Sequence, residues 1–200
     1  MMLQAQEIIV RLGLKSHPEG GYYSETYRGN DCQVSVSGAL QARPSGTAIY
    51  YMLTPSTFSE FHRLAFDEIF HFYLGDAVEM FQIDAADGAV SRFMLGNDIL
   101  AGQLPQVLVK AGVWQASRLL VQDSNSQSCD ISSAVYSESP AEEAQGSLFQ
   151  SLSKPYGFAL LGTTMAPGFD FRDYEQGSFA ELSALCRGKC DELVKSLTRV

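Results

Sequence analysis

The sequence predicts a mainly β domain of sandwich or barrel type, with a short helix in front and one or two helices behind. Three observations predict it. Between Thr47 and Met165, short β-branched and aromatic runs are separated by turn signals at roughly the 8–12-residue spacing of all-β folds. No stretch of that middle region keeps a 3.6-residue period, which argues against a parallel sheet with crossover helices. Helical spacing is confined to the two ends. A chain of 200 residues with 46% hydrophobic composition can bury a real core as one domain, 1–200.

Each element follows in order. Residues 2–12 read as a helix, because Ala5, Ile9 and Leu12 recur at helical spacing and Gly13 sits at the stop. His17-Pro18-Glu19-Gly20-Gly21-Tyr22-Tyr23 breaks it. Residues 30–46 are polar and turn-rich, with one weak strand around Gln33–Val36. Thr47–Leu53 is β-branched and aromatic throughout, as in a strand covered on both faces. Phe61–Leu74 holds at least one long strand, and Ala77–Ile83 another, closed by Asp84-Ala85-Ala86-Asp87-Gly88. Ala89–Leu95, Gln106–Lys110, Val113–Gln122 and Tyr156–Met165 complete the series. The serine-rich, acidic stretch 123–153 lacks the apolar surface to offset its ordering entropy and is expected to be a mobile insertion. Phe179, Leu182, Leu185, Leu193 and Leu197 support the terminal helices.

Charge and composition exclude several functions. A net charge of −9 opposes binding to phosphate backbones, so no nucleic acid is expected, and opposes docking on anionic membranes. No apolar run approaches the ~18–20 residues of a spanning helix. The first ten residues lack a basic start and a cleavage site, so they do not read as a signal peptide. Four cysteines, Cys32, Cys129, Cys186 and Cys190, are too scattered for a disulfide scaffold. Cys186 and Cys190 would share a helix face as small buried groups. A reducing cytoplasm is the expected compartment.

The densest chemistry lies in Phe61-His62-Arg63-Leu64-Ala65-Phe66-Asp67-Glu68-Ile69-Phe70-His71-Phe72-Tyr73, which holds two of the three histidines. If no bulge or turn shifts the register, His62, Leu64, Glu68, Phe70 and Phe72 share one face. A concave wall with one His and one Glu among aromatics is a plausible small-molecule site. Arg63 and His71 fall on the other face, Arg63 as a rim or subunit-contact residue and His71 as a participant only if a bulge turns it inward. The alternative is an ordinary half-buried strand with a structural His–Glu pair. Similarly, His17 either lines the site or merely holds its loop.

These residues carry a resemblance. His62-x-Leu64-x3-Glu68-x6-Gly75 resembles the first cupin motif, with Leu64 in place of its second His. Lys110-Ala111-Gly112-Val113-Trp114-Gln115 resembles the second, with Gln115 in the His slot. His-Pro-Glu-Gly-Gly-Tyr-Tyr (17–23), Phe-His-Arg (61–63), Asp-Glu-Ile-Phe-His-Phe-Tyr (67–73), Gly-x-x-Pro-Gln (102–106), Ala-Gly-x-Trp-Gln (111–115) and Ala-Pro-Gly-Phe-Asp-Phe (166–171) occur in that order. The series is similar to the uncharacterised cupin-5-type family of small jelly-roll proteins. The resemblance implies a cupin-type jelly roll, a homodimer and no established reaction. It also implies a barrel mouth near Phe169 and Asp170. A metal on His62, Glu68 and Gln115 is disfavoured, since Leu64 cannot ligate and Gln115 is a weak ligand; no cofactor is expected.

Glu19-Gly20-Gly21-Tyr22-Tyr23-Ser24-Glu25 is similar to the start of dTDP-4-dehydrorhamnose 3,5-epimerases, which have Glu-Arg-Gly-Phe-Phe-x-Glu there. In those enzymes a barrel His acts as base, which implies that role for His62, while Gly20 in the Arg slot puts nucleotide phosphate binding in doubt. Arg28 or Arg63 could compensate. Imidazole suits proton abstraction beside a carbonyl near neutral pH. A Tyr or a carboxylic acid could return the proton, and Tyr22, Tyr23, Tyr50, Tyr51 and Tyr73 are available. The expected site is thus His62 and Glu68 at its polar end, Phe70, Phe72 and Trp114 along its walls, and Gln115 beside them. His17, Tyr22, Arg63, His71, Phe169 and Asp170 complete the ligand-binding set. The expected function is an isomerase or epimerase acting on a small carbonyl or sugar-derived compound. The alternatives are a non-catalytic ligand-binding module and a metal-dependent dioxygenase or lyase.

Overall fold

A computed structural model describes residues 4–36, 38–120 and 155–199. Helix α1 (Ala5–Leu12) opens the chain, started by the Glu7 carboxylate accepting the Gln4 N–H at 3.2 Å and stopped by Gly13 in the left-handed region. The strands follow as β1 (Lys15–Ser16), β2 (Tyr22–Arg28), β3 (Asp31–Val36), β4 (Ala39–Pro44), β5 (Thr47–Leu53), β6 (Phe58–Leu64) and β7 (Glu68–Gly75). After them come β8 (Val78–Ile83), β9 (Val90–Leu95), β10 (Gln106–Val109), β11 (Trp114–Leu119), β12 (Ala159–Met165) and β13 (Tyr174–Gln176). Helices α2 (Phe179–Leu185) and α3 (Asp191–Ser196) end the chain, and no helix among the described residues is long and apolar enough to cross a membrane.

Two antiparallel sheets face each other. One has the order β1-β2-β5-β12-β7-β10 and the other β13-β6-β11-β8-β9, while β3 and β4 form a separate hairpin. Alternation sorts each strand's side chains onto an inner and an outer face. The inner faces supply one cluster, with Tyr51, Leu53, Phe70, Phe72 and Leu161 from the first sheet and Val78, Met80, Leu95 and Leu119 from the second. Outside the second sheet, Phe61, Phe81, Ile83 and Trp114 pack against Leu182, Val194 and Leu197 of the C-terminal helices. Outside the first, Met52, Phe158 and Leu160 pack against Ile8 of α1 and the adjoining Leu14. The expected mainly β, jelly-roll architecture with flanking helices is what forms.

Four local readings differ. Tyr22–Arg28 is a strand that composition alone did not disclose, because its outer residues are polar and exposed. Asp31–Pro44 makes a complete hairpin rather than one weak strand. Phe61–Leu74 is divided between two sheets by a turn at residues 65–67. Cys186 and Cys190 do not share a helix face: they flank the turn between α2 and α3 and are joined by a disulfide. The polar stretch 123–153 lies outside the described residues.

Candidate functional site

The turn at residues 65–67 carries the chain from one sheet to the other, so β6 and β7 lie on opposite walls. His62 and Glu68 both point inward, from facing sheets rather than along one strand. On β6 the pairing runs Gln115–His62 and then Ser117–Ser59, two steps on β11 against three on β6. That extra residue is a β-bulge, and it turns Ser59 onto the face of His62. Loop 17–21 closes over this edge, fastened by the Glu60 N–H donating to the Glu19 carbonyl at 3.0 Å. The loop needs Gly20, whose φ is 106° and whose Cβ position lies 2.0 Å from the Phe58 carbonyl oxygen. No side chain fits there.

The result is a cavity of about 210 Å³ between the sheets, with Glu19, His17, Tyr51, Glu68 and Thr163 toward its polar end. Tyr23, Ile49, Leu64, Phe70 and Met165 form apolar walls, and Glu25, Arg28, Thr47, Phe169 and Phe171 complete the lining. His62, only 2% exposed, stands behind Glu19, its Nε2 3.4 Å from Glu19 Oε2. Its Nδ1 donates to the Glu60 carbonyl at 2.8 Å, which leaves the Nε2 lone pair aimed at the carboxyl. His17 Nδ1 accepts the Glu19 N–H at 3.2 Å, so this ring is held neutral with its proton on Nε2. Tyr23 meets it edge-on at 4.5 Å between centroids.

Burial dominates the electrostatics. Desolvation pushes the Glu19 carboxyl up to about 8, against the opposing pull of the Ser59 hydroxyl, and the nearby Glu60 raises it further. Desolvation also pushes His17 down to about 4 and lowers His62. Glu68 is raised by burial and by Glu19, and is drawn back by His62 and by Gln115, whose Nε2 donates to Glu68 Oε2 at 2.7 Å. At neutral pH the polar end is therefore a protonated Glu19 beside two neutral imidazoles. Gln115 Oε1 and Ser117 Oγ, on the inner face of β11, are buried without a hydrogen-bond partner among the described residues.

The mouth is held rigidly. Phe169 and Phe171 meet edge-to-face at 5.0 Å, and the Phe169 N–H donates to Thr47 Oγ1 at 2.9 Å. Arg43, 1% exposed, grips Asp173 with two 2.7 Å hydrogen bonds and so ties the β3–β4 hairpin to the segment bearing both rings.

Of the residues expected at the site, Glu68, Phe70, His17 and Phe169 line the cavity, and Gln115 contacts Glu68. Phe72 is in the inner core rather than on the lining. The others are placed elsewhere. Tyr22 packs outward with the α1 cluster, and its neighbour Tyr23 takes the inward position. Trp114 is buried on the outer face under α2 and α3, and Arg63 lies over its ring at 4.4 Å while pairing with Glu175. His71 is on the outer face, bonded to Thr164 Oγ1 at 2.9 Å and stacked on Tyr73. Asp170 caps a short 3-10 turn and pairs with Arg172. The sequence does not single out Glu19, Glu25 or Thr163 as site residues, while Arg28, offered as a phosphate partner, and Tyr51, among the candidate acids, do line the cavity. Period-2 alternation along Tyr22–Arg28 would have disclosed Glu25, and Glu19 opens the epimerase-like segment.

The motif positions and the flanking Ala166-Pro167-Gly168 turn now lie on one barrel, and residues 6–177 match the family model described as cupin superfamily (DUF985). The chain belongs to that cupin family. It is 30% identical over 178 residues to the uncharacterised Saccharomyces cerevisiae protein YML079W, covering 84% of this chain and 73% of that one. A hypothetical protein from Leishmania major superposes with a TM-score of 0.76 at 26% identity, covering 99% of this chain and 100% of that one. Protein SO0799 from Shewanella oneidensis does so with a TM-score of 0.73 at 27% identity, covering 99% of each chain.

Many cupins hold a metal at the motif positions, but the donors here do not fit one. Leu64 stands in one ligand position, Gln115 turns its N–H₂ rather than its oxygen to Glu68, and the His62 Nε2 lone pair faces the Glu19 carboxyl. Among the described residues no group of three or more His, Cys, Asp or Glu side chains is arranged around a common point.

Proposed function

We propose that this cupin binds a small carbonyl compound and moves a proton at the carbon beside the carbonyl, as an isomerase or epimerase does. One observation carries the reading: a buried carboxyl, Glu19, faces the cavity with an imidazole, His62, aligned behind it at 3.4 Å. The role given to His62 shifts accordingly. Glu19 is the group that meets the substrate, and His62 stores or returns its proton.

The two carboxyls have different environments, which divides their labour. Glu19, kept protonated by burial, donates to the carbonyl oxygen as negative charge develops there. Glu68, which burial and Glu19 also raise but which His62 and the Gln115 N–H draw back toward its ionised form, takes the proton from the adjacent carbon. The bond electrons pass into an enediol. Glu68 then returns its proton to the former carbonyl carbon while the Glu19 carboxylate takes up the proton of the neighbouring hydroxyl as that becomes the new carbonyl, which gives the isomer. An epimer requires the proton to return to the opposite face of the original carbon from a second donor. Proton NMR of uncharged hydroxyaldehydes and hydroxyketones incubated with the protein tests this. Isomer formation should appear with the native chain and fall by roughly 10²–10⁴-fold in both Glu19→Gln and Glu68→Gln. Equal turnover by the native chain and these folded variants would overturn it.

A further inference from the structure

Resting on that reading, we infer that the cavity selects an uncharged, single-ring-sized ligand and rejects anionic ones, so that sugar phosphates and sugar nucleotides are not its substrates. Size is the first argument. About 210 Å³ falls below the roughly 300–1,000 Å³ of pockets that enclose drug-sized molecules, and Phe169 and Phe171 narrow the entrance.

Charge is the second. Arg28 is the one cation lining the cavity among the described residues, against Glu19, Glu25 and Glu68. Its guanidinium is already committed: Nε and Nη2 donate to the two Glu25 oxygens at 2.9 and 2.5 Å, and Nη1 donates to the Phe169 carbonyl at 3.2 Å. Asp31 and Asp170 add further negative charge around it. A phosphate or carboxylate entering here would lose water and find no lining cation that is not already paired, since Glu25 neutralises Arg28. Gly20 cannot be exchanged for an arginine to supply one, since its Cβ would collide with the Phe58 carbonyl.

The polar end agrees with the mouth. Burial shifts Glu19, His17 and His62 toward their neutral forms, so the inner wall offers neutral hydrogen-bonding groups beside one carboxylate, Glu68, whose negative charge also opposes an anion. That suits hydroxyl and carbonyl groups, whose desolvation is offset by such pairing.

Thermal shift and saturation-transfer NMR with defined probes test the inference independently of turnover. D-xylose and D-fructose are the uncharged probes, ribose 5-phosphate and thymidine diphosphate the anionic ones, and D-glucosamine the cationic one. Binding is expected from at least one uncharged sugar and from neither anion. In Glu25→Gln, an exposed change that frees Arg28, ribose 5-phosphate should gain binding by at least tenfold. Preferential binding of an anion or of glucosamine by the native protein would overturn the inference. So would binding of none of the probes, or a Glu25→Gln protein that gains nothing for ribose 5-phosphate. Binding of an uncharged sugar without turnover would sustain the inference while defeating the proposed reaction.

Discussion

Replacing Glu19 by Gln keeps the shape of a protonated carboxyl and removes its titration, and the consequence can be worked from the structure. Folded Glu19 holds its proton up to about pH 8, while the unfolded chain releases it near the ordinary 4.5. Between those values the folded state binds more protons, so stability falls as pH rises. His17 works in the opposite direction, because its folded value of about 4 lies below the ordinary 6.5 and stability rises with pH in that window. The two slopes oppose each other from 4.5 to 6.5, and Glu19 acts without His17 from 6.5 to 8. Over those 1.5 units, at about 1.4 kcal/mol per unit, the native protein loses about 2 kcal/mol that Glu19→Gln retains. For a domain of this size that is roughly 4–8 °C in Tm. Thermal melts of both proteins across pH 6.5–8 measure it. The native melting curve should slide downward relative to the variant as pH rises; parallel profiles would refute a buried, protonated Glu19.

Other outcomes follow from single residues. His62→Ala should cut turnover by roughly 10²–10⁴-fold if it serves Glu19, and uncharged-sugar binding should survive; unchanged turnover in a folded variant would remove His62 from the mechanism. Trp114→Ala should cost about 3–5 kcal/mol, because the ring is 1% exposed between β11 and the C-terminal helices, yet leave probe affinity unaltered once folded at low temperature; a selective loss of affinity would place Trp114 at the site after all. Arg43→Met should lower Tm by leaving Asp173 buried without its partner, and the Arg43→Met, Asp173→Leu double variant should recover most of the loss. No recovery in the double variant would mean that Arg43 acts through packing alone.

The fold was legible because strand runs, turn residues and the ordered cupin motifs agreed with one another. The site was legible only in part. Even spacing placed His62 and Glu68 together, yet the turn at residues 65–67 puts them on opposing sheets, where the same parity also points inward. The bulge that aims Ser59 at Glu19 leaves no mark in a composition read two residues at a time. Tyr22 and Trp114 were misassigned because an aromatic residue suits an outer face covered by a helix as well as a pocket wall. Period 2 separates the faces without saying which one is the interior. Glu19 lies in a loop of Pro and Gly, and its burial is decided by β6 and the C-terminal residues, far from it in sequence.

Proton transfer at carbon is tested most directly by deuterium uptake from D₂O. An uncharged hydroxy-carbonyl compound that binds the cavity is incubated with the native protein and read by NMR at the position beside the carbonyl. Uptake well above the buffer rate, abolished in Glu19→Gln and strongly slowed in His62→Ala, is the expected result. Uptake at the buffer rate for a compound shown to bind, or uptake that persists in Glu19→Gln, would contradict it.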